Sequence, residues 1–574
     1  MPHPQSNREV ADTLLLLADL LEIRGEAVFK IAAYRKAAGS ISALAEPLTA
    51  VRDREELEQV PGVGKAIAQK VAALLNTGSF KLLDEVLSEI PAGVAELLQV
   101  PDVGPKRALL LYTELGVQSV DDLWAAADSG QLAATKRIGP TGAHRIEQGL
   151  ASLRPADNRL PLARALPLAA TLREQVRQLG ATHVEIAGSI RRFADLLGDV
   201  NLVASAENPE TLLDAFCSLP SVALVRSRGE GAGRVMLHDG ALVALAAGTH
   251  REFGSLLQYH TGSKQHNARL SRLALERGAE FTPQGFIVDG TVHPCATEDE
   301  VYAFLTLQPV PPEMREDTGE IELALAGRLP PPFQVTQLRG DLHVHTTWSD
   351  GSQSVREMAL AARQRGYEYI CISDHSQSLG VANGLSPERL VQQRLEIDAV
   401  NTELKPFRVL QGVEMEVRGD GSLDLPDDVL RSLDLVTASV HSGLRRGRES
   451  VTARALAALV HPLVDVLAHP SGRLVGGRPG GDFDMGALYA AAAQSGTALE
   501  INGDLARLDL RDTHARAAVA AGCTLTIGSD AHSIEGLANA VYGARLATRA
   551  WVSHEHVLNT RPLDALLGAL KRNQ

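Results

Sequence analysis

Residues 341–351 read DLHVHTTWSDG and residues 524–532 read TLTIGSDAH, two short β-rich runs that each finish on histidine and carboxylate side chains. Between them lie YICISDH (369–375), RVLQGVEMEV (408–417), LVTASVH (435–441), DVLAHP (465–470) and ALEIN (498–502), with helical stretches separating one from the next. Seven such strands alternating with helices predict a parallel β/α architecture, closed or open. Nearly every run ends in His, Asp, Glu or Asn. In β/α barrels the active site lies at the C-terminal ends of the strands, so this placement points to chemistry there.

Side chains two apart on a strand share a face, so His343 and His345 can converge on one ion, and Asp530 and His532 repeat the device on the last strand. Asp350 in a Gly-flanked loop, His375, Glu414, His441 and His469 complete a set of nine potential ligands. Mixed nitrogen and oxygen donors suit Zn²⁺, Mn²⁺ or Fe²⁺, with about three ligands per ion, so a two- or three-metal hydrolytic site is expected. Such ions bring the pKa of bound water towards about 7 and clamp phosphate oxygens, so no nucleophilic side chain is required. Asp374 should point to the opposite strand face and serve a supporting role, and Asn502 and Asp504 are weaker candidates at the rim.

Upstream, residues 9–150 read as short helices punctuated by Gly and Pro turns. Val60-Pro-Gly-Val-Gly-Lys65 and Val100-Pro-Asp-Val-Gly-Pro-Lys106 are two copies of one pattern, each followed by a helix. Gly62, Gly64 and Gly104 let a phosphate approach exposed N–H groups at a helix start, and Lys65 and Lys106 add charge. A single copy would support a helix-capping turn equally well; the duplication favours helix-hairpin-helix binding of the DNA backbone, without sequence readout. Ile138-Gly-Pro-Thr-Gly142 is a degraded third copy.

The whole chain has 574 residues, 45% of them hydrophobic and 22% charged, a folded multidomain profile. Its net charge of −14 is spread along the chain, which excludes a generic nucleic-acid sponge and leaves local geometry as the means of holding DNA. Four scattered cysteines without a C-x-x-C pair suggest neither a disulfide framework nor a thiolate zinc knuckle, and a reducing cytoplasm is the expected compartment. No signal peptide, transmembrane span or membrane partner is expected. Pro-rich PVPPEMRE and RLPPP, between 309 and 332, predict an extended linker and a domain boundary.

The C-terminal motifs resemble the polymerase-and-histidinol-phosphatase (PHP) family of metal-dependent phosphoesterases, with all nine positions of that family's usual metal set filled. This implies a distorted (β/α)₇ barrel using Mn²⁺ or Zn²⁺. FKIAAYRKAAGSI with VPGVGKAIAQKV resembles the small N-terminal domain of family-X DNA polymerases, which adds Tyr34 to the DNA-binding candidates. Lys70 occupies the position of that family's Schiff-base lysine, although a phosphate contact is the default for an exposed lysine there and Ala66 departs from the eukaryotic pattern. AGSIRRFADLLGDVNLV (187–203) and QYHTGSKQHNARL (258–270) resemble the family's nucleotidyltransferase palm. The resemblance implies nucleotide contacts from Gly188, Ser189, Arg191, Arg192, Tyr259, Thr261, Gly262, Ser263 and Asn267. Its catalytic acids bind Mg²⁺ or Mn²⁺. Asp199 keeps the first acid, but Asn201 and Ala244 replace the second and third, Asp239 reads as a hairpin turn, and His260 replaces an aromatic residue.

The expected fold class is therefore multidomain α+β and α/β. A helical lyase-like domain with the first helix-hairpin-helix covers 1–90, a fingers-like domain with the second 91–155, the palm 156–265, the thumb 266–308, the linker 309–337 and the PHP barrel 338–574. The resemblance implies a cytoplasmic, nucleoid-associated DNA-repair protein that acts without sequence preference on gapped DNA or single-strand-break ends. The barrel would act as a 3′-to-5′ exonuclease or phosphoesterase, with weak or Mn²⁺-dependent polymerisation from dNTP. The alternatives are a fully active gap-filling polymerase with an accessory nuclease, and a DNA-end scaffold with slow catalysis.

Overall fold

The computed structural model describes residues 7–117 except 43, 45, 92, 93, 96, 101 and 102, scattered positions between 122 and 146, and 159–573 except 380, 381 and 445. The chain divides into two compact units, Met1–Asp157 and Asn158–Gln574.

In the first unit the helices Asn7–Arg24, Val28–Ser42, Leu48–Asp53, Lys65–Thr77, Lys81–Glu89 and Pro105–Leu115 share one apolar core that runs from Val10 to Ile146. That core continues across the division expected near residue 90. Ile67, Ala68, Val71, Leu74 and Leu75 recur at helical spacing and form the buried stripe of Lys65–Thr77, which Gly78 ends in the left-handed conformation (φ 76°).

In the second unit, the palm is a five-stranded sheet in the order His183–Ala187, Val200–Ser205, Leu242–Gly248, Ala232–Leu237, Val222–Gly229. Helices Leu162–Gln178 and Pro209–Cys217 cover it through Leu172, Val176, Leu212 and Phe216, all buried. The thumb adds the strands Ala279–Thr282, Gly285–Val288 and Thr291–His293. Residues 309–337 are not an extended tether, which corrects the reading from proline density. Val310, Met314, Ile321, Ala324 and Leu329 are buried in the same cluster as the thumb's Leu270, Phe281 and Phe286, so apolar burial overrides the extended preference of proline.

The C-terminal part carries two parallel sheets, Gly340–Val344, Tyr369–Ile372, Arg408–Gln411 and Glu414–Glu416, Thr437–Ser439, Val466–Leu467, Ala498–Asn502, Leu525–Gly528. The bridge Val344↔Ala531 joins them at one edge; at the other the chain runs from Gln411 into Glu414, which bridges His375 beyond the central strand, and a barrel closes. Gly412 and Val413 interrupt one long run, so the seven runs read in the sequence are the seven staves. Leu342, Tyr369, Cys371, Leu410 and Val466 are buried, as strands of a helix-covered parallel sheet require.

Palm and barrel are fastened by arginines. Arg473 pairs with Asp195 at 2.6 Å, and Arg545 and Arg549 of the helix Ala540–Arg549 donate to the backbone oxygens of Arg191 and Arg192, each at 2.8 Å.

Candidate metal centre and palm

Strand ends bring the predicted ligands together around Glu414. Its Oε2 lies 3.5, 3.6 and 2.9 Å from ring nitrogens of His343, His345 and His375, and its Oε1 lies 3.1 and 2.8 Å from those of His441 and His469. Asp530 Oδ1 faces His343 at 3.5 Å and His345 at 3.3 Å, while Asp350 reaches His345, His375 and His532 at 3.4–3.7 Å. Three groups have the spacing for an ion: His345, Asp350, His375 and His532; His343, His345 and Asp530; His375, Glu414 and His441.

The donors fit divalent ions by an independent sign. Nε2 of His343, both ring nitrogens of His345, Nδ1 of His375, Nε2 of His441 and Nδ1 of His469 are buried without a hydrogen bond. Buried polar atoms are otherwise almost always paired, so this many unpaired ring nitrogens gathered around carboxylates suit a bound cation. Burial pushes the His375 and His441 imidazoles down, but Glu414 and its neighbours outweigh it and raise them to about 10 and about 9, whereas burial takes His345 down to about 3. His469 (φ 26°) and Asp530 (φ 53°) sit in the left-handed region, strain of a kind that gathers at functional sites.

A supporting layer orients the ligands. Asp374, as its strand face predicted, accepts from Thr346 N (2.8 Å), Thr346 Oγ1 (2.6 Å), Ser349 Oγ (2.5 Å) and Gln393 Nε2 (2.7 Å), which fixes the loop carrying Asp350. Glu416 holds His441 Nδ1 at 2.8 Å, and Glu500 holds His343 Nδ1 at 2.7 Å and His469 N at 2.8 Å. Sequence reading missed Glu416 and Glu500, although each stands two residues along its strand from a named position, Glu414 and Asn502. Asn502 Nδ2 bonds Asp530 at 3.0 Å, while Asp504 shapes the following loop.

The palm lacks a comparable cluster among the described residues. Asn201 Nδ2 donates to Asp199 Oδ1 at 2.6 Å, Asn201 and Ala244 are register partners, and Ala244 is flanked on its other side by Arg234. A side-chain amide, a methyl and a guanidinium thus occupy one row of the sheet where two acids are needed. Gly188 (φ 61°) is required here, since a Cβ would lie 2.7 Å from Asn201 Nδ2. Burial, with help from Arg234, lowers the His260 imidazole to about 4, so it is neutral. Asp239 sits in the hairpin turn expected of it, its carboxylate accepting from Ala241 N at 3.0 Å.

Arg191 is committed to Glu298 at 2.8 and 2.6 Å and to Thr261 Oγ1 at 2.8 Å; Arg192 pairs with Glu316 at 3.0 Å and donates to the Thr261 oxygen at 2.5 Å. Ser189 lies in the short helix Gly188–Arg191, and Ser263 caps the helix Lys264–Glu276. Asn267 ties Gln258 to the Tyr259 oxygen, and Tyr259, against Phe281, is 37% exposed.

In the first unit the two hairpins have the same hydrogen bonds. Val63 N donates to Val60 O and Val103 N to Val100 O, both at 2.9 Å; Ala68 N donates to Gly64 O and Ala108 N to Gly104 O, both at 2.9 Å. Gly64 and Gly104 cap their helices with open space around them, and Lys65 and Lys106 are exposed. Pro101 and Asp102 of the second copy, and Pro140 and Thr141 of the third, lie outside the described residues. Lys70 Nζ donates to Ala66 O at 2.9 Å. Tyr34 is a correction: it is 4% exposed, packed with Ile31, Ala37, Ala38 and Ile41 on the buried stripe of its helix, so its ring is core and offers DNA nothing.

The chain matches the helix-hairpin-helix domain family over residues 5–80, the SAM-like helix-hairpin-helix tandem over 94–151, the DNA polymerase beta thumb over 256–316 and the PHP domain over 341–499. It is 35% identical over 573 residues, 99% of each chain, to the DNA polymerase/3′-5′ exonuclease PolX of Bacillus subtilis. Its C-terminal part is similar to two probable phosphatases. One, from Syntrophotalea carbinolica, is 28% identical over 41% of this chain and 96% of the relative; the other, from Photobacterium profundum, is 31% identical over 35% and 80%. A full-length match, joined to a barrel with three candidate ion groups and two hairpins that share their hydrogen bonds, places this chain in the DNA-binding, divalent-metal-dependent bacterial family-X DNA polymerases that carry a C-terminal PHP domain.

Proposed function

We propose that the dependable chemistry of this protein is hydrolysis of DNA 3′ ends in the barrel, in the 3′-to-5′ direction, at gaps or single-strand breaks. One contrast carries the reading: eight of the nine predicted donors fall in groups spaced for an ion and the ninth, His469, lies 2.8 Å from Glu414, whereas the palm has an amide on Asp199 and a methyl at Ala244. His343, His345, Asp350, His375, Glu414, His441, His469, Asp530 and His532 would hold two or three ions, with Mn²⁺ or Zn²⁺ suited to the mixed donors. When bound, such ions supply charge that polarises a phosphoester and acidifies water. The chain's own residues orient and exclude: Glu500 and Glu416 hold His343 and His441 in the tautomer that turns Nε2 inward, and Asp374 sets the loop of Asp350.

The hairpins with Lys65 and Lys106 supply sequence-independent grip on the DNA backbone, and Lys70 acts there as a phosphate contact. Four free cysteines fit a reducing cytoplasmic setting, and nucleoid association would follow from the backbone grip of the hairpins. His343→Ala is expected to abolish 3′-end trimming while DNA affinity stays within twofold; trimming that persists would overturn the assignment.

A second reading, a gap-filling polymerase that uses Mg²⁺ or Mn²⁺ and dNTP in the palm, draws on Asp199, whose second oxygen has no partner among the described residues, and on the nucleotide turn Gly188–Arg192. Templated incorporation that survives His343→Ala and is lost in Asp199→Ala would support it. A DNA-end scaffold with slow catalysis would show gap binding without turnover in any divalent metal.

A further inference from the structure

The loop after the strand Ala498–Asn502 brings a cation to the metal-ligand cluster. Asp504 N donates to Asn502 Oδ1 at 3.0 Å, Ala506 N to Asp504 Oδ1 at 2.9 Å and Arg507 N to Asp504 O at 2.8 Å, which makes the loop a tight, self-bonded turn. Arg473, four residues past His469, braces it from the other side. Its Nε donates to Arg507 O at 3.0 Å and its Nη2 to Leu508 O at 2.5 Å, while its Nη1 is anchored on Asp195 of the palm. The backbone of Arg507 is therefore held on both sides.

Its side chain is 20% exposed and meets Asp530 through Nε, at 3.2 Å from Oδ2. The two terminal nitrogens make no hydrogen bond with any described residue. Asp530 does not need this partner, since it already accepts from Asn502 and faces His343 and His345. A fixed guanidinium beside ligands that gather cations is repulsive once ions are loaded, and that repulsion is relieved only when an anion lies between them. The free fork matches two oxygens of a phosphate.

We propose that Arg507 is a catalytic residue of the barrel, its terminal nitrogens gripping non-bridging oxygens of the scissile phosphodiester. The proposal rests on the hydrolytic reading above. In the step it serves, water adds to phosphorus and the bond from phosphorus to the neighbouring 3′ oxygen breaks. The proton passes to that oxygen, and a nucleoside 5′-monophosphate leaves. Arg507 stays protonated throughout, its charge set against the negative charge that builds on the phosphoryl oxygens.

The full chain, loaded with Mn²⁺, tests this in wild-type, Arg507→Ala and Arg507→Lys forms. Three quantities are read: bound Mn²⁺ after gel filtration, affinity for thymidine 5′-monophosphate against thymidine, and kcat and KM for trimming. Arg507→Ala is expected to keep its Mn²⁺, to lose about tenfold or more in monophosphate affinity with thymidine unchanged, and to lose about 100-fold in kcat, with partial recovery in Arg507→Lys. Wild-type monophosphate affinity and kcat in Arg507→Ala would overturn the proposal. So would loss of Mn²⁺, which would make Arg507 only a positioning residue for Asp530. If the wild type itself fails to trim, the hydrolytic reading fails, and the monophosphate comparison still decides whether Arg507 grips phosphate.

Discussion

Glu500 serves two candidate metal ligands with one carboxylate, and Glu500→Gln separates charge from shape at that point. Oε1 accepts from His343 Nδ1 at 2.7 Å, and Oε2 accepts from His469 N at 2.8 Å and Asn502 Nδ2 at 3.1 Å. All three partners are donors, so the amide that replaces one oxygen must face a donor whichever way it turns. Turned to His343, it forces the proton onto Nε2 and removes the lone pair that points at Glu414 and Asp530. Turned to His469, it leaves a buried backbone N–H unpaired, at a cost of about 1–3 kcal/mol. Loss of an orienting partner of this kind lowers metal affinity about 10- to 100-fold, which is about 1.4–2.7 kcal/mol. Competition of the Mn²⁺-loaded protein with a chelating dye reads the affinity directly, and the circular-dichroism unfolding midpoint of the metal-free protein controls for general damage. An Mn²⁺ affinity within threefold of wild type would refute the reasoning that Glu500 fixes the tautomer of His343.

Restoring both acids of the palm, Asn201→Asp with Ala244→Asp, is expected to raise templated incorporation in Mg²⁺ at least tenfold in a primer-extension assay; no gain would mean that Arg234 beside position 244 blocks the ions by itself. Burial raises the Glu298 carboxyl, but Arg315 and Arg191 outweigh it and hold it down at about 2. A depressed carboxylate adds stability above its unfolded value near 4.5 and loses it as the pH falls from there to about 2, here about 3 kcal/mol. The stability gap between wild type and Glu298→Gln, read by denaturant titration, should therefore be full at pH 6 and close between pH 4.5 and 2. Lys65→Ala and Lys106→Ala should each lower the salt dependence of gapped-DNA binding by about one phosphate contact, equally on unrelated sequences, which fluorescence anisotropy across a salt series would show.

The barrel was legible because its strands, its parallel order and its candidate ligands are written in short local runs. Each of the nine expected donors lies at a strand end or on the adjoining loop, and the alternation that placed His343 with His345 also sent Asp374 to the far face. The same alternation contained Glu416 and Glu500, but an acid inside a strand has no local mark of its role until its partner, 157 residues away in the case of His343, is known. Tyr34 failed for a related reason. A short motif marks its helix, whereas which face of that helix is buried depends on the helices around it. Arg191 and Arg192 were legible as charge, but the carboxylates that engage them, Glu298 and Glu316, stand 107 and 124 residues on, in the stretch matched to the thumb. Proline density between 309 and 332 described local stiffness correctly and burial wrongly, because Val310, Met314 and Ile321 between the prolines find a core.

In the proposed function the barrel, not the palm, carries the working chemistry. A gel assay on gapped DNA with a 5′-labelled primer, in the presence of all four dNTPs and either Mn²⁺ or Mg²⁺, tests it most directly, because one lane reports both directions. Progressive shortening of the primer in Mn²⁺ is expected, absent in His343→Ala and unchanged in Asp199→Ala. Templated extension by the wild type in Mg²⁺, unaffected by His343→Ala and lost in Asp199→Ala, would contradict it.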